Sequence, residues 1–206
     1  MSDKSKSSYH HGDLRNALIE AAISLVREKG PNAFSLREVA KQAGVSHAAP
    51  YRHFNDKLEL LSAIAHSGFR LFAQRLSLVE QKFATDPKQQ LIEAGIAYVE
   101  LAVKNPEITQ LMFGGFIAPD KCSEELLVDA DNAFNHLLRI IENGKQAGLY
   151  QNRETMDLAL AAWSMVHGLA MLITGGQLAD WTTNQEQVRN ISRLVSELLL
   201  EGLLAK

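Results

Sequence analysis

Few side chains in this 206-residue sequence are spaced for covalent or metal chemistry. The histidines are His10, His11, His47, His53, His66, His136 and His167, and apart from the His10-His11 doublet no two stand at close ligand spacing. There is no His-Glu-x-x-His pattern, no Gly-rich phosphate loop and no Gly-x-Ser-x-Gly elbow. The single cysteine, Cys122, has no neighbouring histidine and reads as a spare thiol outside any internal disulfide. No catalytic residue, metal ligand or cofactor is expected, and a helical enzyme is a remote alternative. Two other groups of side chains suit non-covalent chemistry. Between Ser35 and Lys57, hydroxyl, guanidinium, imidazole and ammonium groups of the kind that hold phosphates and base edges are crowded together. Further on, Trp163-Ser164-Met165-Val166-His167-Gly168 sets a tryptophan and a histidine on one helix face at i and i+4.

The elements that must position these groups are helical throughout. Leu14, Ala17, Leu18, Ala21, Ala22, Leu25 and Val26 keep the rhythm of one buried helix face, with Asp13 as the expected N-cap and Gly30-Pro31 as the stop. Ser35-Leu36-Arg37-Glu38 has capping-box spacing, so a short helix is predicted to about Ala43, stopped by Gly44. Ser46 is expected to cap a third short helix reaching about His53. Asp56 with Glu59 fits another capping box, ahead of a long helix carrying Leu58, Leu61, Ile64, Ala65, Phe69, Phe72, Leu76, Val79 and Phe83. Asp86-Pro87 and Asn105-Pro106 mark two further starts, and Gly114-Gly115, Gly148 and Gly175-Gly176 mark stops. Helices are predicted near 124–147, 155–174 and 187–204, and no β pattern of useful length occurs. The fold class is all-α: an N-terminal helix-turn-helix three-helix domain followed by a helical bundle domain.

Two short helices joined by Ala43-Gly44-Val45-Ser46 are the geometry of a DNA-reading helix-turn-helix, with Val45 plugging the turn into the core. The Tyr51 hydroxyl can reach a phosphate, Phe54 anchors the core, and Lys57 sits in the first turn of the next helix, where charge and free N–H groups favour a phosphate. The net charge of −3 leans against a nucleic-acid partner until it is divided along the chain. Through Lys57 there are nine Lys+Arg against six Asp+Glu, a net +3, whereas the remainder carries 12 against 18, a net −6. A basic head and an acidic body orient the molecule on a phosphate backbone.

The run from Leu36 to Ser46 and the run Tyr51-Arg52-His53-Phe54-Asn55-Asp56-Lys57 together resemble the DNA-binding domain of TetR-type transcriptional regulators. The resemblance covers Asp13 to about Leu61 and implies a division into an N-terminal arm (1–12), a DNA-binding domain (13–57) and a dimerisation and ligand-sensing domain (58–206). It implies that Ser35, Tyr51, His53 and Lys57 contact phosphates and that Arg37, His47, Ala48 and Ala49 face base edges, with Ser46 completing the DNA-binding set. Arg37 can bond guanine in bidentate fashion, and alanines can pack on thymine methyls. Pro50 departs from the pattern of many members. It lacks the N–H that would bond back to Ser46, so a tightened or irregular first turn is predicted. His10-His11 reads equally as a minor-groove arm or a solvated tail.

The Trp-x-x-x-His-Gly pattern looks like one found in a subgroup of TetR-type C-terminal domains. Trp163 and His167 either line a pocket or are a hydrogen-bonded core histidine beside a core tryptophan, and the second is the plainer reading. Gly168, in mid-helix, is costly unless another backbone or a ligand approaches closely. Tyr98, Met112, Phe113, Phe116 and Phe134 join the candidate pocket, whose ligand would be apolar or amphipathic. The stripes Leu158, Ala161, Ala162, Met165, Leu169, Leu172 and Ile191, Leu194, Val195, Leu198, Leu199, Gly202 suit a homodimer through the last two helices, or else the core of a single chain. The polar N-terminus lacks an apolar signal stretch, and the apolar run Leu158–Ile173 is short and interrupted for a membrane span. The expected protein is thus a cytoplasmic homodimeric repressor, released from a palindromic double-stranded DNA operator by a small-molecule effector. The alternative is a DNA-binding regulator controlled by a protein partner or by no ligand.

Overall fold

The computed structural model describes residues 11–204, so the expectations for residues 1–10, including His10, lie outside the described residues. Eight α-helices follow in order: α1 (His11–Lys29), α2 (Leu36–Gln42), α3 (Lys57–Lys82), α4 (Pro87–Lys104), α5 (Pro106–Phe113), α6 (Glu124–Gln146), α7 (Thr155–Thr174) and α8 (Gln185–Leu203). Three-residue 3-10 turns stand at Pro50–Arg52, Pro119–Lys121 and Ala179–Trp181. Among the described residues the extended contact is a single antiparallel bridge between Tyr150 and Leu204.

Most boundaries follow from local caps. Ser35 accepts from the Glu38 N–H while the Glu38 carboxylate takes the Ser35 N–H at 2.9 Å, a complete capping box. Asp56, Asp86, Ser123 and Asn184 each accept from the backbone N–H three residues on. At Asp56 the reciprocal arm differs from the expected box: the Glu59 carboxylate receives the Asn55 N–H at 2.7 Å. α1 already includes Asp13, so Asp13 is not its cap. α2 ends in a Schellman arrangement, with Gly44 at φ +68° and the Val45 N–H on the Ala40 carbonyl.

The third helix expected over 46–53 is not an α-helix. The Ala49 N–H bonds the Ser46 carbonyl, then Arg52 bonds Ala49 and His53 bonds Pro50, all three residues back. Pro50 can donate nothing to Ser46, so the chain tightens into a turn and a 3-10 segment.

Three apolar clusters hold the helices together. One joins α1, α2 and the first half of α3 to Leu111, Ile117, Leu126 and Ala133. A second joins Leu76 to α4, α6, α7 and α8, and a third lies among α4, α7 and α8. Phe72 on α3 packs against all three. α7 is long and apolar enough to span a membrane by composition, with mean hydropathy 1.6, but Leu158, Ala159, Ala162, Val166, Leu169, Ala170 and Ile173 are buried within the bundle.

Candidate nucleic-acid interface and internal cavity

The capping box starts α2 at Leu36 and leaves Arg37 exposed one residue later, while Leu36, Val39 and Ala40 are buried beneath. Lys29 reaches the free oxygen of Glu38 at 2.8 Å. Hydrogen bonds from Lys29 first, then Ser35, hold the Glu38 carboxyl at about 2, well below its ordinary range. Beyond the Schellman turn, Ser46, His47 and Ala48 are exposed, and Tyr51 is 54% exposed. Ala49, expected at base edges, is 7% exposed and belongs to the interior. The Pro50 turn brings Ala49 inward alongside Pro50, and the reading surface is correspondingly shorter. His53 is half-buried against Phe54, with ring centroids 6.4 Å apart. Lys57, placed at the start of α3, donates to the Phe34 carbonyl at 2.8 Å and lies 4.2 Å from the Phe34 ring centroid. Burial pushes its ammonium below the usual lysine range.

Behind this surface α5 is wedged between α1 and α3. At one end Arg27 of α1 donates to Glu107, which is buried; burial pushes that carboxyl up, but Arg27 and a backbone hydrogen bond together outweigh it and the group ends below its ordinary range. Along α3, Gly68 lets α5 approach so closely that an added Cβ would fall 2.5 Å from Ile108 and Met112. Phe113, the last residue of α5, reaches a cavity.

That cavity, of about 330 Å³, lies among α3, α4, α5, α6, α7 and α8. Phe69 and Phe72 of α3, Tyr98, Phe113, Phe134 and Trp163 supply its aromatic wall, and Leu76, Leu91, Val166 and Leu199 are among its other apolar lining residues. The rings form a connected cluster: Phe72–Tyr98 at 5.2 Å, Phe69–Phe113 at 5.4 Å, Phe113–Trp163 at 5.8 Å and Phe134–Trp163 at 5.9 Å. Of the expected pocket residues, Tyr98, Phe113, Phe134 and Trp163 are on the wall, while Met112, Phe116 and His167 are not. Met112 leans onto Gly68, and Phe116 folds back over Gly114, both against the first apolar cluster.

His167 stands behind Tyr98, its Nδ1 2.6 Å from the phenol oxygen. Burial pushes the Tyr98 phenol up and the His167 imidazole down. Burial thus favours a protonated phenol and a neutral ring, and the hydrogen bond between them fixes the Tyr98 ring on the wall. Trp163 thus lines the cavity, and His167, half-buried, is hydrogen-bonded behind Tyr98. Missing from the sequence reading were the α3 and α4 contributions, Phe69, Phe72, Leu91, Ala94 and Gly95, whose periodicity looks the same for a core face and a cavity face.

On the outside, the two expected dimer stripes divide. Leu158, Ala162, Leu169 and Leu199 are buried in their own chain and Ile191 and Val195 are half-buried, whereas Ala161, Met165 and Leu172 of α7 and Leu194, Leu198 and Gly202 of α8 face solvent, with Gly168, outside the expected stripe, exposed beside them.

Comparison with known proteins bears on both halves. Residues 18–64 match the family model described as bacterial regulatory proteins, tetR family, and residues 91–196 match the one described as tetracyclin repressor-like, C-terminal domain. The HTH-type transcriptional regulator AcrR of Shigella flexneri is 31% identical over 107 residues, covering 52% of this chain and 50% of that protein. The chain therefore spans about half the length of that relative. The HTH-type transcriptional regulator SrpR of Pseudomonas putida is 26% identical over 204 residues, 98% of this chain and 80% of its own length. A solved structure of a protein of unknown function from Rhodococcus sp. RHA1 superposes with a TM-score of 0.83 at 30% identity, over 97% of this chain and 100% of that one.

Proposed function

This chain belongs to the TetR family of bacterial regulatory proteins, and from that membership we propose that it is a sequence-specific transcriptional repressor acting in the cytoplasm. Arg37, Ser46, His47 and Ala48 read base edges, and Ser35, Tyr51 and His53 hold phosphates. Lys57 has one N–H committed to Phe34 and the others available for a phosphate. Two copies, joined through α7 and α8, present two reading segments to a palindrome about one DNA turn apart.

A small apolar or amphipathic molecule in the aromatic cavity releases the DNA. The observation that carries this reading is α3: its first residue, Lys57, is fastened to the loop before α2, and its Phe69, Phe72 and Leu76 line the cavity. A ligand that displaces those rings moves the helix that carries the reading head, so ligand and DNA favour different states of one equilibrium. The division of labour is a reading unit over 13–57 and a sensing body over 58–206, with α3 crossing between them.

The test is selection of a DNA site from random sequence by the purified protein, followed by fluorescence anisotropy. Arg37→Ala is expected to cost about 1–3 kcal/mol and to relax preference at one base pair. Unchanged affinity and unchanged preference would show that the base-reading assignment is wrong.

A further inference from the structure

The wall of the cavity carries information about the sign of the ligand's charge, and this step rests on the reading of the cavity as the effector site. Its two hydroxyls are already engaged: Tyr98 with His167 at 2.6 Å, and Ser196 with the Ser192 carbonyl at 2.8 Å. Among the described residues lining it, Asp131 of α6 is the one charged side chain, and no lysine, arginine or histidine takes part. Asp131 is exposed, and its carboxylate has no hydrogen-bond or ion-pair partner among the described residues. The cavity is thus an apolar chamber with a largely aromatic wall, with an unpaired negative charge on its solvent-exposed side.

We propose that the effector is a lipophilic monocation, an apolar body ending in a quaternary or protonated amine, with the body among the rings and the cationic end toward Asp131. Ring faces attract cations through their quadrupoles, and the Asp131 carboxylate adds a charge of opposite sign to the ligand's. An anionic amphiphile of the same length would bring its head group to that carboxylate with no wall cation to offset it. A neutral ligand would gain the apolar contacts and leave Asp131 without a partner.

The experiment uses the full-length chain with Trp181→Phe. Trp181 is 67% exposed, so removing it leaves the wall residue Trp163 as the fluorescence reporter. Decyltrimethylammonium, decanol and decanoate are titrated below their micellar concentrations, by fluorescence and by calorimetry, into this protein and into its Asp131→Asn and Asp131→Lys derivatives. Decyltrimethylammonium is expected to bind about tenfold more tightly than decanoate. Asp131→Asn should shrink that ratio severalfold and Asp131→Lys should reverse it, with decanol nearly unmoved. Circular dichroism of each variant checks that the exposed substitution leaves the helices intact. Decanoate binding as well as or better than the cation, or a ratio indifferent to residue 131, overturns the charge assignment while leaving the cavity as an apolar effector site. Binding of none of the three overturns the effector site itself, and the charge assignment with it.

Discussion

The Lys57 ammonium donates to the Phe34 carbonyl and covers the Phe34 ring, so it fastens the start of α3 to the loop before α2. Lys57→Met keeps most of the aliphatic stem but removes both interactions. The expected loss is about 1 kcal/mol, read as a lower urea midpoint with an unchanged slope. A pure phosphate contact would leave stability in the absence of DNA untouched. Glu38 offers a second single-residue test, through pH. Lys29 and Ser35 hold its carboxyl near 2, so the ionised form is favoured by folding. Its contribution is complete above the ordinary carboxyl range and disappears as the pH falls toward about 2. Glu38→Gln should therefore be less stable than the parent at pH 7, with the gap narrowing steadily between pH 5 and pH 3 in denaturant titrations. These two sites also mark how far the sequence could be read. The Ser35–Glu38 box is a local pattern with a local cause, and it formed as expected. The Lys57–Phe34 bond and the inward position of Ala49 depend on how the Pro50 turn rotates the chain, a phase that spacing alone does not specify.

Between elements, the closest approaches are set by glycines rather than by large side chains. Gly144 on α6 faces the ring of Tyr150, and an added Cβ would stand 2.0 Å from Tyr150 Cε2. Tyr150 cannot easily yield: it is buried, its hydroxyl donates to the Pro87 carbonyl at 2.8 Å, and its backbone pairs with Leu204. Gly144→Ala should therefore destabilise by about 1–3 kcal/mol, despite alanine's better helix propensity, in a thermal or urea melt. An unchanged or raised midpoint would mean that the α6–α7 connection repacks freely around the ring. The starts of α3 and α4 were legible because Asp56 and Asp86 cap through bonds three residues long, whereas the Asn184 cap, which starts α8 two residues ahead of the expected 187, went unread. The cavity was half legible for the opposite reason. Phe69 and Phe72 continue the same apolar stripe as the core of α3, and only the arrangement of six helices distinguishes a residue packed on neighbours from one facing a void.

At the scale of the whole molecule, the outer faces of α7 and α8 are unlike the rest of the surface. The two helices pack on each other and on α4, and each turns apolar and small residues outward: Ala161, Met165, Gly168 and Leu172 from one, Leu194, Leu198 and Gly202 from the other. In mid-helix, Gly168 is costly without a close neighbour, yet within the chain nothing lies within 4 Å of where its Cβ would be. In the proposed dimer, a second copy laid across this face would supply that neighbour and cover the apolar stripe, forming an isologous four-helix bundle. Such a dimer would bring two heads of net +3 to the DNA while bodies of net −6 stay clear of it. Gly168→Leu separates an interface from a folding role, because the single chain has room for the new side chain and gains helix propensity. The expected variant is as helical as the parent by circular dichroism but sediments as a monomer at micromolar concentration. Leu194→Glu with Leu198→Glu should do the same from the α8 side. Both should lose most of the affinity for a palindromic operator, and the slope of log affinity against log salt should fall to about half, since one head neutralises half as many phosphates. A Gly168→Leu protein that stays dimeric and keeps the parent's salt slope would place the contact between copies on another face of the molecule.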